Sequence, residues 1–217
     1  MSYELIMHLP DGFLSAKVWI PMMGISAGTI TASVMIVNRR LTERHIPILG
    51  VLSAFVFAAQ MLNFPVAGGT SGHFMGAALL AILVGSWAAV LIMTTILLVQ
   101  CFVFQDGGLT ALGANIFNMG VVAGFIGYYF FYAIRSLIGN KKGIFLGAGI
   151  GAWLSIISSS ACCAFELALS GTVPLKVTLI AMVGTHTIIG VVEGLITFAA
   201  LSFIMKVRPD LLEIRKI

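Results

Sequence analysis

A chain of 217 residues with 59% hydrophobic and only 9% charged residues, and a mean hydropathy of +1.08, lies far outside the soluble globular range and must treat lipid as its solvent. The formal net charge of +4 does not argue for nucleic acid as a partner, because the basic residues fall in short loops and at the C-terminus, where membrane topology accounts for them. Long apolar runs without period-two alternation, and the need of backbone in hydrocarbon for internal partners, favour helices over a barrel. The expected fold class is an all-α integral membrane protein.

In chain order, residues 1–6 hold Glu4 and no basic residue, and no apolar run follows before Lys17, so a signal peptide is not expected. Met7-His8-Leu9-Pro10-Asp11-Gly12 is the first stretch with chemistry. If Met7 is the first residue, its amine, the His8 backbone nitrogen and the His8 Nδ1 close two fused chelate rings on one metal ion and leave one corner open. A peptide nitrogen binds so only when deprotonated, which Ni(II) or Cu(II), and less readily Co(II), can drive. A planar all-nitrogen set also disfavours Zn(II) and Mg(II). Residues 7–16 are thus a metal-binding segment, and 1–6 an extension or a misassigned start. With Met7 internal, His8 is an ordinary surface residue.

The first apolar run, Val18 to Val37, is long enough to span a bilayer. Its Gly24, Gly28 and Ala32 share one face suited to close helix packing, inside this chain as the first reading and on a partner subunit as the second. The basic loop Arg39 to His45 should be cytoplasmic, which puts Met7 and His8 outside. A second run, Ile46 to Phe64, returns outward and ends at Pro65. After it, Gly68-Gly69-Thr70-Ser71-Gly72-His73 can bring backbone close to an ion or make a tight turn. His73 is the natural fourth donor, with a helix-start histidine bonded to a carbonyl as the alternative. Charge parity with the Lys141-Lys142 loop requires Gly69 to Gln105 to cross twice, broken near Gly85-Ser86, its short first half beginning inside protein. Runs from Asn115 to Leu137, Ile144 to Leu169 and Leu175 to Met205 complete seven crossings, N-terminus outside and C-terminus cytoplasmic. No composition shift marks a second domain, so 1–217 is read as a single transmembrane domain.

Ionisable groups inside spans are functional candidates. His186 and Glu193 share one face of the last helix, as an internal hydrogen-bonded pair in the first reading and as a relay or support for the metal in the second. Glu166 beside Cys162 and Cys163 could join a soft-metal site, but buried small thiols are the simpler reading. Asn115 and Asn118, just after Asp106, either orient ligands or cap a helix, with capping the default for one of them. No G-x-x-x-x-G-K-[ST], H-E-x-x-H or G-x-S-x-G occurs, so nucleotide hydrolysis and zinc or serine hydrolysis lack their motifs.

Three blocks in this order, Met7-His8-Leu9-Pro10-Asp11-Gly12-Phe13-Leu14, Gly69-Thr70-Ser71-Gly72-His73-Phe74 and the stretch from Phe104-Gln105-Asp106-Gly107-Gly108 through Asn115-Ile116-Phe117-Asn118-Met119, resemble the CbiM/NikM substrate-binding components of energy-coupling-factor nickel and cobalt transporters. The resemblance implies a non-enzymatic seven-helix component of a bacterial or archaeal cell membrane that takes up Ni(II) or Co(II). It implies a planar four-nitrogen site carried by Met7, His8 and His73. Asp11, Ser71, Asp106, Asn115, Asn118 and His186 are then expected around the ligands, and Gly24, Gly28 and Ala32 where a partner docks. No resident cofactor is expected. The partners implied are a transmembrane coupling subunit, two cytoplasmic ATPases and a small accessory membrane protein. Family members begin at the Met-His pair, and here Met1 to Ile6 precede it. Two other readings stand beside this one: a component for a small organic solute, with His73 and Asn115 as hydrogen-bonding groups, and an intramembrane enzyme using His186 and Glu193.

Overall fold

The computed structural model describes residues 8–40, 42–43, 46–65 and 71–207, so Met7 and His45 lie outside the described residues. Helix α1 (Ala16–Asn38) comes first and buries a stripe of Val18, Ser26, Ser33 and Val37. It is pinned where the Ser26 hydroxyl donates to the Gly113 carbonyl at 2.6 Å. The opposite face is open. A Cβ added at Gly24 or Gly28 would meet nothing within 4 Å, so these two glycines do not pack inside the chain, contrary to the first reading. Close approach to α1 comes from the other side, where a Cβ at Gly113 would collide with the Met23 backbone.

Helix α2 (Ile46–Gln60) is about 22 Å long at 1.5 Å per residue. It ends before an antiparallel hairpin of β1 (Asn63–Pro65) and β2 (Ser71–His73), with Asn63 paired to His73 and Pro65 to Ser71. This hairpin departs from the all-α expectation. Its strands are three residues each, too short to show alternation.

Helix α3 (Ala77–Val84) has eight residues, every one buried. Glycines bound it at both ends, Gly76 at φ 79° and Gly85 at φ 88°, conformations that a side chain resists. Helix α4 (Ser86–Val99) follows and winds on through a π-helical stretch, Gln100–Phe104. Helix α5 (Leu112–Asn115), a π-helical stretch Ile116–Val122 and α6 (Ala123–Ile138) form one continuous helix, Leu112–Ile138.

The break at Gly85 is a sharp change of direction. A Cβ at Gly120 would lie 3.4 Å from Met93 and one at Gly124 3.9 Å from Ala89, so α4 runs antiparallel to that helix. Yet one at Gly127, a single turn on, would meet Ala78 at 2.6 Å. An unbroken helix would carry Ala78 about 16 Å past Ala89. The chain therefore turns sharply at Gly85, where the sequence placed its break. Its first leg is shorter than expected because residues up to Gly76 are spent on the hairpin and the turn after it.

Two long helices complete the bundle. Helix α7 (Lys141–Leu169) starts under an Asn140 cap whose Oδ1 accepts from the Lys142 N–H at 2.8 Å, and α8 (Leu175–Val207) packs along it. At their crossing a Cβ on Gly194 would meet the Gly149 carbonyl at 2.8 Å. Backbones approach this closely in membrane bundles, where small residues replace the hydrophobic drive between helices. Among the described residues five helices are long and apolar enough to cross a membrane: Ala16–Asn38, Ser86–Phe104, Leu112–Ile138, Lys141–Leu169 and Leu175–Val207. Ile46–Gln60 is a shorter apolar helix.

Candidate metal centre

The N-terminal segment is tied down residue by residue from Leu9 onward. The Leu9 N–H donates to Asn115 Oδ1 at 3.0 Å, and Asn115 Nδ2 donates back to the Leu9 carbonyl at 3.1 Å. The Gly108 N–H adds a third bond to that carbonyl at 2.8 Å. Residue 108 must be glycine for this approach, since a Cβ there would run into the Asp11 backbone nitrogen. Asp11 Oδ1 accepts from the Thr110 N–H at 2.7 Å and from its hydroxyl at 2.6 Å. Farther on, the Thr172 hydroxyl donates to the Phe13 carbonyl at 2.5 Å. Two loops, before α5 and before α8, thus clasp residues 9–13 and push His8 inward, where it is 3% exposed.

His73 leaves the end of β2 toward the same point. The two imidazole rings lie 4.9 Å apart, centre to centre, at an interplanar angle of 65°. Burial, with the neighbouring His73 ring adding to it, pushes the His8 pKa down to about 3, and burial lowers that of His73. Both rings are therefore neutral at neutral pH, with lone pairs available to a metal. His8 Nδ1 is buried without a hydrogen-bond partner. Asp106 Oδ1 lies 3.6 Å from it, a carboxylate near a neutral ring and not a salt bridge. On His73, Nδ1 lies 3.0 Å from the Phe74 carbonyl. A carbonyl only accepts, so Nδ1 carries the proton and Nε2 is left with its lone pair. The carbonyl-bonded histidine weighed as an alternative to a ligand is thus compatible with a ligand, through the other nitrogen.

Among the described residues no three His, Cys, Asp or Glu side chains gather into a metal-holding group. Two neutral imidazoles need backbone or terminal nitrogens to complete a square. Met7, which would supply the amine, lies outside the described residues. Of Ser71 only the backbone is described, paired to Pro65.

Several sequence readings need correction. Asn115 and Asn118 cap no helix, because the helix begins before them at Leu112. Asn115 clamps Leu9. Asn118 turns to Glu166 instead, its Nδ2 donating to Oε2 at 2.7 Å, and its own carbonyl accepts from the Ser159 hydroxyl at 2.5 Å. His186 and Glu193 form no pair. His186 Nδ1 lies 2.7 Å from the Met182 carbonyl one turn back, while Glu193 accepts the N–H groups of Met75 at 2.7 Å and Gly76 at 2.8 Å. Seven positions on a helix are roughly 10 Å of rise, beyond side-chain pairing. Sequence reasoning also passed over Gln60 and Gln100. Gln60 Nε2 donates to the Met75 carbonyl at 2.7 Å and Gln100 Nε2 donates to Gln60 Oε1 at 2.7 Å. Their signal is present in the sequence: each is an uncharged polar side chain inside an apolar run, where burial demands a hydrogen-bond partner.

Residues 8–211 match the family model for CbiM, the cobalt uptake substrate-specific transmembrane region. The chain is 40% identical over 209 residues, 95% of its length and 68% of the relative's, to a protein of Archaeoglobus fulgidus provisionally named fused nickel transport protein NikMN. It is 33% identical over 214 residues, 95% of each chain, to the cobalt transport protein CbiM of Sorangium cellulosum. A crystal structure of a transition metal transporter superposes with a TM-score of 0.83 at 34% identity, covering 92% of this chain and 93% of that one.

Proposed function

This chain belongs to the CbiM family of cobalt uptake substrate-specific transmembrane regions, and we propose that it captures Ni(II) or Co(II) at the outer face of a cell membrane for an ATP-coupled importer. The observation that carries the reading is the pair of neutral imidazoles 4.9 Å apart, His8 buried and His73 half-buried, with His8 Nδ1 unpartnered and His73 Nε2 left free by the bond at Nδ1. His8 Nδ1 and the His8 backbone nitrogen lie in one chelate ring, and a Met7 amine would close the second. His73 Nε2 fills the fourth corner. Four nitrogens in a plane suit Ni(II) and Co(II) and leave Zn(II) and Mg(II) poorly served. The metal is cargo, so the site needs to open again.

Release falls to partners. The energy-coupling-factor arrangement supplies a transmembrane coupling subunit, two cytoplasmic ATPases and a small accessory membrane protein. The open Gly24 and Gly28 face of α1 supports docking of such a subunit, since small residues facing lipid leave room for another helix backbone. Seven crossings follow if α2 and the α3 leg each count as one, with the N-terminus outside. The test is titration of the purified protein beginning at Met7. One Ni(II) per chain with the yellow absorption of a planar site, lost on His8→Ala, supports the reading. Binding of an organic solute with no metal uptake overturns it.

A further inference from the structure

The metal centre described so far accounts for His8 and its clasp, but not for what fixes His73. Its ring is held at Nδ1 by the Phe74 carbonyl at 3.0 Å. That carbonyl belongs to the peptide unit whose other end is the Met75 N–H, and this N–H donates to Glu193 Oε2 at 2.7 Å. One peptide group thus stands between an imidazole and a buried carboxylate on α8. The second carboxylate oxygen takes the Gly76 N–H at 2.8 Å, at the start of α3. On the far side of Met75, its carbonyl accepts from Gln60 at 2.7 Å, and Gln60 accepts from Gln100 at 2.7 Å. Both peptide planes flanking Met75 are held by side chains from other helices.

We propose that Glu193 is a positioning residue for the metal, acting on His73 through the Phe74–Met75 peptide. This rests on the reading of His73 as a ligand. Metal-bound histidines commonly donate their second nitrogen to a carboxylate or carbonyl, which fixes the tautomer and raises the basicity of the ligating nitrogen. Here the carboxylate stands one peptide away. The Glu193 oxygen accepting at the N–H end polarises the peptide, strengthens its carbonyl as an acceptor and locks the proton on Nδ1, leaving Nε2 to bind. The same contact ties the ligand to α8, so that displacement of this long helix is felt at the fourth corner of the site.

Glu193→Gln removes one acceptor oxygen while keeping the shape, so one of the two N–H groups faces an amide donor. In the metal-free parent, nitrogen NMR of histidine-labelled protein should show His73 as the Nδ1–H tautomer. In Glu193→Gln the Nε2–H form should appear, the planar Ni(II) absorption should move to lower energy, and Ni(II) should bind roughly 10–100-fold more weakly, the usual loss when a ligand's outer partner is removed. Gln60→Leu keeps both Glu193 acceptor oxygens and should leave the tautomer as in the parent. An Nε2–H tautomer in the parent, or a Glu193→Gln protein with the parent's tautomer and spectrum, overturns the proposal. The parent measurement needs no variant to fold. If instead the parent binds no Ni(II) while its His73 is the Nδ1–H tautomer and responds to Glu193→Gln, the metal reading fails and the relay stands.

Discussion

Replacing Asn115 by leucine removes both side-chain hydrogen bonds that hold Leu9 in place while nearly conserving volume at a site 2% exposed. The two bonds are unequal. The Leu9 carbonyl keeps the Gly108 N–H, so it loses only the net worth of one bond, about 1 kcal/mol. The Leu9 N–H keeps nothing, and a donor stranded beside the buried His8 costs about 1–3 kcal/mol. Together the docked segment loses about 2–4 kcal/mol, equivalent to roughly 30- to 700-fold in Ni(II) affinity at 1.4 kcal/mol per tenfold. Competition titration against a chromogenic chelator, on protein beginning at Met7, reads this directly. Asp11→Ala, which cuts the exposed bonds to Thr110, should cost far less. Parent-like affinity in Asn115→Leu, or a larger loss in Asp11→Ala, would show that the clamp on Leu9 does not hold the metal segment.

Metal binding should expel protons, and their number is informative. Burial keeps His8 neutral down to about pH 3 and also lowers His73, so the protons come from the α-amine and the His8 peptide nitrogen. With an α-amine pKa of about 7.7–8.0, just under two protons per ion should leave at pH 7, and affinity should rise with pH across the neutral range. Calorimetry in buffers of different ionisation enthalpy counts them, and a count of zero contradicts the chelate. The His8 shift has its own consequence. Its folded pKa lies below the ordinary imidazole value of 6.5, so docking of the segment is fully favoured above pH 6.5 and weakens as pH falls toward 3. The protection factor of the Leu9 amide, its exchange rate divided into the intrinsic rate at each pH, should fall over that window and stay constant above it. Finally, Gly28→Leu fills space where an added Cβ meets nothing within 4 Å. Thermal stability and Ni(II) binding should be unchanged while uptake by the assembled transporter falls, and unchanged uptake would remove α1 as the docking face.

Helix positions were legible because membrane solvation leaves a strong, one-dimensional signal. Predicted runs at Val18–Val37, Ile144–Leu169 and Leu175–Met205 differ from α1, α7 and α8 by only a few residues. The break at Gly85 was readable too, from charge parity together with a glycine. Contacts across the bundle were not. Periodicity placed His186 and Glu193 on one face but could not say that Glu193 reaches an N–H 118 positions earlier. Nor could it show that Asn115 would face Leu9 across 106 positions, because an asparagine near a helix start reads as a cap. The small residues of α1 looked like internal packing because sequence gives a face its texture and not its neighbour.

The proposed metal square is completed by a terminal amine at Met7. Ni(II) affinity of the chain beginning at Met7, compared with the same chain retaining residues 1–6, tests it most directly. A tight planar complex in the first and loss of that absorption in the second is the predicted result. Equal affinity and identical spectra for the two would contradict it, because an amide nitrogen at Met7 cannot act as the amine does.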